Sequence, residues 1–387
     1  MIKFQSVTKQ YLDGTLAVEA LDLSITTGRI TVLAGPSGCG KTTAIRLINR
    51  MTEATAGSIL LDGKDNRYTN PAALRRSIGC VFQHSILIPH QTTLSNIAMA
   101  SVLNGYGRRA ARLRAAELLE LVGLPIELGH RYPPQLTSSQ ERRVCIARAL
   151  AGDPPILLMD APFSAVDPPI RQELQEHLLK LQHNIGKTIV FTTNDIHEAL
   201  RLGDRIAIFR QNGELAQYAP PLVLLFRPAD HFVASFLGKY RGYRTLDFLH
   251  ADLPLTRLPC VTFSTLATQS HVRQCNEWVL VIDDARRPLG WLMPDQSAAL
   301  DDAGTPQVED LLPVGSVYEL DFDSGRNAAA SSLRSALDAA LDSPAGLGIA
   351  VDGTGAVVGS FTAELVLAEL GAARRLVIEA QSFLNFF

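Results

Sequence analysis

The stretch TVLAGPSGCGKTTAIRLIN, residues 31 to 49, decides how this chain folds. An apolar strand from Ile30 to Leu33 leads into a glycine-bearing loop, and the loop leads into a helix. The spacing Gly35-x-x-x-x-Gly40-Lys41-Thr42 is that of a phosphate-binding loop, in which backbone N–H groups surround a β-phosphate. Since the helix begins where the phosphates would lie, its dipole strengthens the anion site.

Each residue type in this phosphate loop has a predicted task. Lys41 is expected to reach the β- and γ-phosphate oxygens, and the Thr42 hydroxyl is expected to bind Mg²⁺. The residues predicted to bind the nucleotide here are Gly35, Pro36, Ser37, Gly38, Cys39, Gly40, Lys41, Thr42 and Thr43. The other interpretation, a glycine turn with an exposed lysine, does not account for the flanking strand and helix.

Length and composition bound the remaining possibilities. A chain of 387 residues is too long for one ordinary core and indicates two or three domains. We expect a cytoplasmic protein, because the sequence has neither a signal peptide nor an apolar run long enough to span a bilayer. A net charge of −3 argues against a general nucleic-acid binder. The five cysteines are scattered, which predicts reduced thiols.

The segment before the phosphate loop is predicted to contain two or three short strands. These are Ile2 to Phe4, Leu16 to Val18 and Leu21 to Ile25. Tyr11 lies between the first two and is able to present a flat ring to a purine. Ordinary packing in a strand is the alternative interpretation of this side chain.

Polar residues follow three later strands at the edge where ligands collect in α/β sheets. Gln83 follows a strand that ends at Phe82, and Asp160 follows the apolar strand Ile156 to Met159. A strand from Thr188 to Thr192 brings Thr193, Asn194 and Asp195 to the same edge. Alternation of strands and helices predicts an α/β fold with a mostly parallel sheet.

A capped helix and an internal repeat complete the pattern. Thr137 or Ser138 is expected to cap a helix that continues through Leu150, leaving N–H groups aimed outward. Beyond Leu237, the segments LVIDDARRPLGWL (280 to 292) and IAVDGTGAVVGSF (349 to 361) match at an offset of 69 residues. Each is predicted to be a strand, an acidic turn, a second strand and the entry to a helix. Two unrelated hairpins are the alternative.

These motifs together resemble an ABC-transporter ATPase, in particular the ATP-binding subunit of glycine betaine/proline (quaternary amine) osmoprotectant importers. The resemblance covers residues 1 to 237 through GPSGCGKT, VFQHSILIPH, LTSSQERRVCIARAL, ILLMD, SAVD and TTND. Members of this group often carry two CBS modules after the ATPase, and the repeat looks like such a pair. The resemblance therefore implies a P-loop NTPase with a parallel sheet core and a helical subdomain, followed by a smaller α+β domain.

The expected boundaries follow from this resemblance. The nucleotide-binding domain would span residues 1 to 237, with its helical subdomain at about residues 84 to 150. Residues 238 to 244 would be a linker, residues 245 to 375 a tandem CBS-like regulatory domain, and residues 376 to 387 an apolar tail.

The resemblance also implies ATP and Mg²⁺ as cofactors and assigns roles by position. Tyr11 would stack on adenine, while Thr42, Gln83 and Asp160 would serve Mg²⁺. Two copies would pair head to tail, with the phosphate loop of one facing the signature segment of the other, and Asp167 would cross the dimer seam. That signature segment comprises Leu136, Thr137, Ser138, Ser139 and Gln140.

Implied partners are a membrane permease, a second ATPase chain and a substrate-binding protein. The permease would contact the Gln83 to His90 region, which would place the chain on the inner face of the cell membrane. An adenine nucleotide is a possible ligand of the C-terminal repeat, and no nucleic acid is expected.

Departures from the family pattern concern the residues that perform chemistry. Ala161 stands where the family has the glutamate that polarises the attacking water, and Asn194 stands where it has a histidine near the γ-phosphate. Ser138 and Ser139 replace two glycines of the signature segment, and their Cβ atoms restrict the backbone. We therefore expect MgATP binding with weak hydrolysis. A regulatory subunit that closes on ATP without turnover is the alternative, and the sequence leaves homodimer and heterodimer open.

Overall fold

The computed structural model describes residues 1–82, 87–164, 166, 168–250, 253–265, 278–293, 308–320 and 332–384. The chain divides into two compact units. The first comprises Met1–Leu224 and Pro228–Leu237, and the second comprises Leu225–Arg227 and Gly238–Phe387. Among the described residues, none of the helices combines the length and apolarity that crossing a bilayer requires.

The first unit is built from alternating strands and helices. Its strands are β1 (Ile2–Gln10), β2 (Leu16–Ile25), β3 (Ile30–Ala34), β4 (Ala56–Leu61), β5 (Lys64–Asp65), β6 (Ile78–Val81), β7 (Ile156–Asp160), β8 (Thr188–Thr193), β9 (Arg205–Phe209) and β10 (Leu215–Ala219). Its helices are α1 (Lys41–Ile48), α2 (Pro71–Ser77), α3 (Thr93–Leu103), α4 (Arg108–Leu121), α5 (Ser138–Leu150), α6 (Pro168–Ile185), α7 (Ile196–Leu202), α8 (Pro221–Phe226), which continues into the second unit, and α9 (His231–Leu237).

A six-stranded sheet in the order β10-β9-β3-β8-β7-β6 carries the site. All neighbours in it are parallel except β10 and β9. Every residue of β3, β7 and β8 is buried, as is typical of the central strands of a parallel sheet. The predicted α/β fold with a mostly parallel sheet is confirmed.

The start of the chain differs from its prediction. β1 and β2 are two long strands of 9 and 10 residues, which pair antiparallel in a second sheet of order β2-β1-β4-β5. Ser6 and Ala20 take positive φ values of 44° and 41°, where the register between the strands shifts. These bulges interrupt the alternation of apolar and polar residues but do not end the strands. The sequence pattern therefore predicted shorter strands than the structure has.

The second unit contains two small sheets with the same topology. Its elements are α10 (Arg241–Arg244), β11 (Cys260–Thr262), β12 (Val279–Ile282), β13 (Pro288–Leu292), β14 (Val317–Glu319), α11 (Leu333–Asp342), β15 (Leu347–Val351), β16 (Val357–Thr362) and α12 (Ala363–Leu384). In each sheet a parallel pair is followed by an antiparallel hairpin, in the orders β11-β12-β13 and β14-β15-β16. Side chains from both sheets form one apolar cluster around Trp291 and Ile349.

The two hairpin turns make equivalent hydrogen bonds at positions that are 69 residues apart. The Asp283 amide donates to Arg287 O at 2.9 Å, and the Asp352 amide donates to Ala356 O at the same distance. The carboxylates of both aspartates also accept from the amide four residues later. Such Asx bonds explain why each turn begins with aspartate.

Each half of the second unit also pairs with a segment that precedes the other half. Thr256 bridges Ser360 in β16, and Leu312 bridges Trp291 in β13. At each bridge the two backbones lie close together, because glycines occupy the equivalent positions 290 and 359. A Cβ at Gly290 would lie 2.5 Å from Leu311 Cβ, so this crossing requires glycine.

Residues 238 to 244, the expected linker, include α10. The Tyr243 hydroxyl donates to Asp338 on α11 at 3.0 Å, and the Arg334 guanidinium lies over the Tyr243 ring. The end of this segment is therefore part of the packing of the second unit. Of the expected apolar tail, residues 376 to 384 continue α12, and residues 385 to 387 lie outside the described residues.

The Gly290 crossing yields a prediction for stability. Gly290→Ala should lower the free energy of unfolding of the second unit by about 1–3 kcal/mol, because its methyl group overpacks Leu311. The chain has two tryptophans, Trp278 and Trp291, so tryptophan fluorescence during urea unfolding reports on this unit. Gly353→Ala is the control, since a Cβ there meets nothing within 4 Å. Equal unfolding midpoints for the two variants would contradict the overpacking.

Candidate functional site

The phosphate loop connects the buried end of β3 to the first turn of α1. Gly40 precedes Lys41, the first residue of α1, with φ 102° and ψ −3°. A Cβ at this position would lie 2.0 Å from Ala17 O, so both the backbone angle and the packing require glycine. The loop therefore turns sharply enough to direct the first N–H groups of α1 outward.

Lys41 places a buried positive charge at the centre of this loop. Its side chain is 7% exposed, and Nζ donates to Gly35 O at 2.8 Å and to Pro36 O at 2.7 Å. Burial lowers the pKa of the lysine, and the Cys39 thiol 3.5 Å away partly opposes that shift. Lys41 is thus held by the loop that it is predicted to serve.

Asp160 joins the phosphate loop to the edge of the sheet. Its carboxylate oxygen Oδ1 accepts from the Thr42 hydroxyl at 2.9 Å and from the Thr192 hydroxyl at 2.7 Å. Asp160 is 4% exposed and lies opposite Thr192 in the parallel pair β7 and β8. Three elements, α1, β7 and β8, therefore meet at one carboxylate.

These residues provide the chemistry that a magnesium nucleotide requires. The Thr42 hydroxyl and the Asp160 carboxylate are hard oxygen donors, the type that Mg²⁺ prefers. The Lys41 ammonium and the start of α1 supply positive potential for phosphate oxygens. The residues present therefore fit MgATP.

Tyr11 lies beside the phosphate loop and outside any strand. Its hydroxyl is 3.3 Å from the Thr43 hydroxyl on α1, and the residue is 37% exposed. The Lys9 ammonium lies 5.1 Å from the ring centroid. The partly exposed ring is thus available for stacking a flat base.

The two degenerate positions lie at the same edge of the sheet as Asp160. Ala161 directly follows β7 with a positive φ of 47°, and its N–H donates to the Thr192 hydroxyl at 2.9 Å. Asn194 directly follows β8 and is exposed. A methyl group accepts no proton, so Ala161 offers no general base at this place.

The two serines of the signature segment differ in orientation. Thr137 caps α5, its hydroxyl accepting from the Gln140 amide while the Gln140 side chain accepts from the Thr137 amide. Ser139 is 7% exposed and lies 3.5 Å from Arg143, which pairs with Glu173 at 2.8 Å. Ser138 is exposed. Only one of the two added side chains therefore faces outward.

Two predicted site residues, Gln83 and Asp167, lie outside the described residues. The residues next to them are placed. Arg142 in α5 donates to Phe82 O at 3.2 Å, and Ser164 donates to Ala161 O at 2.9 Å. The structure thus brings together Tyr11 and the phosphate loop, and Thr42 and Asp160. The signature segment leads into the start of α5, which packs on α3, α4 and β6.

Two buried polar residues near the site, Thr192 and Glu198, are not among the residues that the sequence predicts to bind the nucleotide or the metal. Thr192 binds Asp160, and Glu198 Oε2 accepts from the Thr193 hydroxyl at 2.6 Å. The signal for Thr192 was the pair of parallel strands that end together, which places residues from both ends in register. The signal for Glu198 was a lone carboxylate on the buried face of α7.

Comparison with known proteins agrees with this geometry. The family model for the ABC transporter matches residues 18–164. The osmoprotectant import ATP-binding protein OsmV of Salmonella typhimurium is 38% identical over 302 residues, covering 76% of this chain and 79% of that protein. The choline transport ATP-binding protein OpuBA of Bacillus subtilis is 44% identical over 299 residues, with 76% and 78% covered. The dimeric cassette MJ0796, solved with ADP and Pi, is 34% identical with a TM-score of 0.53, covering 57% of this chain and 99% of that chain.

The anchoring of Asp160 yields a second prediction for stability. Thr192→Val removes a hydroxyl that donates to a buried carboxylate and should lower the free energy of unfolding of the first unit by about 1–3 kcal/mol. Thr31→Val is the control, because the Thr31 hydroxyl is buried on neighbouring β3 with no hydrogen-bond partner among the described residues. Urea unfolding followed by far-ultraviolet circular dichroism measures both. If Thr31→Val lowered the free energy of unfolding as much as Thr192→Val, the role of Thr192 in anchoring Asp160 would be contradicted.

Proposed function

This chain belongs to the family of ABC transporter ATP-binding proteins, and we propose that it is the ATP-binding subunit of an importer for quaternary-amine osmoprotectants. The observation that carries ATP binding is the contact of Thr42 with Asp160 beside the buried Lys41. The substrate class rests on relatives whose names include osmoprotectant import and glycine betaine, carnitine and choline transport.

Binding of MgATP uses the phosphate loop together with residues from three other segments of the first unit. The backbone N–H groups of residues 35 to 42 and the Lys41 ammonium hold the phosphates, and Tyr11 stacks on the adenine. Thr42, Asp160 and Gln83 hold Mg²⁺ or its water shell. When bound, Mg²⁺ neutralises phosphate charge and orients the terminal phosphate.

Closure requires a second chain. The cassette MJ0796 is dimeric, which supports a dimer here. The family resemblance implies that the pair is head to tail, with α5 of one chain facing the phosphate loop of the other. In this arrangement Thr137 and the N–H groups at the start of α5 approach the terminal phosphate, and Asp167 crosses the seam. Ser139 is buried, so its side chain does not lie between α5 and the partner's phosphate loop. Ser138 is exposed, and its side chain is the one that restricts how closely α5 approaches the terminal phosphate.

Hydrolysis is slow in this proposal because two catalytic groups are missing. Loss of a general base typically lowers a rate by about 10²- to 10⁴-fold, and loss of a transition-state hydrogen bond has a similar effect. With Ala161 the general base is missing, and with Asn194 the histidine hydrogen bond to the γ-phosphate is missing. The same observation favours a second candidate function, an ATP-gated regulatory subunit that closes without turnover.

The proposed partners follow from the family. A membrane permease contacts the Gln83 to His90 region, which places the chain at the inner face of the cell membrane, and a substrate-binding protein delivers the solute. Residues 245 to 375 form a tandem CBS-like regulatory domain that follows the linker 238 to 244 and takes an adenine nucleotide. The matched hairpin turns at Asp283 and Asp352 support this internal pairing.

Phosphate release by the full chain with its permease tests the function. With saturating MgATP, the wild type should release phosphate slowly, and Ala161→Glu with Asn194→His should raise the rate by about 10²-fold or more, because both groups are restored. Lys41→Ala is the control, because it removes the ammonium that is expected to reach the β- and γ-phosphate oxygens.

The result separates the two candidate functions. Wild-type turnover above that of Lys41→Ala supports the transport ATPase, whereas ATP binding without turnover supports the regulatory subunit. Absence of ATP binding by the wild type would contradict both.

A further inference from the structure

Tyr11, the residue proposed to stack on the adenine, is held by a hydrogen-bonded turn. Its N–H donates to Thr15 O at 2.9 Å, and its carbonyl oxygen accepts from the Gly14 amide at 3.0 Å. The Asp13 carboxylate accepts from the Thr15 amide at 2.9 Å and closes the same turn. These hydrogen bonds fix the point at which the aromatic side chain leaves the backbone.

The far end of the Tyr11 ring is attached to the start of α1. The Tyr11 hydroxyl lies 3.3 Å from the hydroxyl of Thr43, which is 9% exposed and belongs to the residues predicted to bind the nucleotide. The ring is therefore fixed at both ends, and its distance from the phosphate loop is set by the fold.

Lys9 lies over one face of the same ring. Its ammonium is 5.1 Å from the ring centroid, which is within the range of a cation–π contact. Lys9 belongs to β1, where it pairs with Val18 of β2, and its side chain is partly buried. The sheet that contains β1 and β2 therefore places the charge over the ring independently of the turn that carries Tyr11.

A positive charge over one face of the ring has two consequences for a flat base. The base stacks on a face that is open, so Lys9 directs it to the opposite face. The charge also attracts the π electrons of the ring, which reduces their repulsion with the π electrons of a base on the other side. Both effects concern the base, and neither requires contact with the phosphates.

We propose that Lys9 is a positioning residue for the adenine base, because it covers one face of Tyr11 and makes the opposite face the stacking surface. The inference rests on the proposed function, since it concerns the base of MgATP. It divides the affinity for MgATP into two parts. The part that comes from the base depends on Lys9 and Tyr11 together, whereas the part that comes from the phosphates depends on Lys41 and Thr42 and is independent of Lys9.

The test measures the affinity of the full chain for two ligands by calorimetry. MgATP carries the base, whereas magnesium tripolyphosphate carries three linked phosphates without a base. Lys9→Met keeps an apolar side chain and removes the charge. It should weaken MgATP binding by about three- to fivefold and leave the affinity for magnesium tripolyphosphate within about 1.5-fold of the wild type. Lys9→Arg should bind MgATP within about twofold of the wild type, because a guanidinium also stacks on an aromatic face.

A double-mutant cycle tests whether Lys9 acts through the Tyr11 ring. Tyr11→Leu removes the ring and should weaken MgATP binding by about tenfold. Adding Lys9→Met to Tyr11→Leu should change MgATP affinity by less than about 1.5-fold, because the ring on which Lys9 acts is then absent. Lys3→Met is the control for net charge. It removes the same charge from β1 at a distance of about 20 Å along the strand, and its MgATP affinity should match the wild type.

The outcomes distinguish this inference from the function on which it rests. A wild type that binds MgATP no more tightly than Lys9→Met overturns the inference alone. Parallel losses of affinity for MgATP and magnesium tripolyphosphate also overturn it, because they indicate that Lys9 attracts the phosphates at long range. An effect of Lys9→Met that persists without the Tyr11 ring overturns it as well. A wild type that binds neither ligand overturns the proposed function and this inference together.

Discussion

The carboxylate of Asp160 is the point on which the nucleotide site depends. It accepts hydrogen bonds from Thr42 on α1 and Thr192 on β8 while standing at the end of β7. A buried carboxylate is tolerated only where such donors satisfy it. The requirement therefore fixes the first turn of α1 against two parallel strands, and with it the direction of the phosphate loop.

At this edge of the sheet, the residues proposed to bind the nucleotide are present, but the residue position that would catalyse hydrolysis carries an alanine. In the proposed function Lys41, Thr42 and Asp160 supply the groups that hold a magnesium nucleotide, whereas Ala161, the residue after Asp160, has no carboxylate with which to activate water. Ala161 keeps its structural task, since its N–H still donates to Thr192. The backbone position of residue 161 therefore serves the framework of the site even though its side chain offers no group for hydrolysis.

Local signals made the phosphate loop, the buried strands β7 and β8 and the capped helix α5 predictable from the sequence. The glycine spacing, the short apolar runs of the strands and a capping hydroxyl at Thr137 or Ser138 are each signals that act within a few residues. The role of Thr192 was not predictable in this way, because it depends on the register of two strands whose facing residues are 32 positions apart. The inward orientation of Ser139 likewise depends on Glu173, which lies on a different helix.

The most direct test of the account is the effect of Mg²⁺ on ATP affinity, measured by calorimetry with Mg²⁺ and with a chelator. If Thr42 and Asp160 form the magnesium site, Mg²⁺ should tighten ATP binding to the wild type by about tenfold, which corresponds to about 1.4 kcal/mol. Asp160→Asn keeps an oxygen that accepts from both threonines but removes the charge, and it should lose this dependence. Equal ATP affinity with and without Mg²⁺ in the wild type, or an unchanged dependence in Asp160→Asn, would contradict the account.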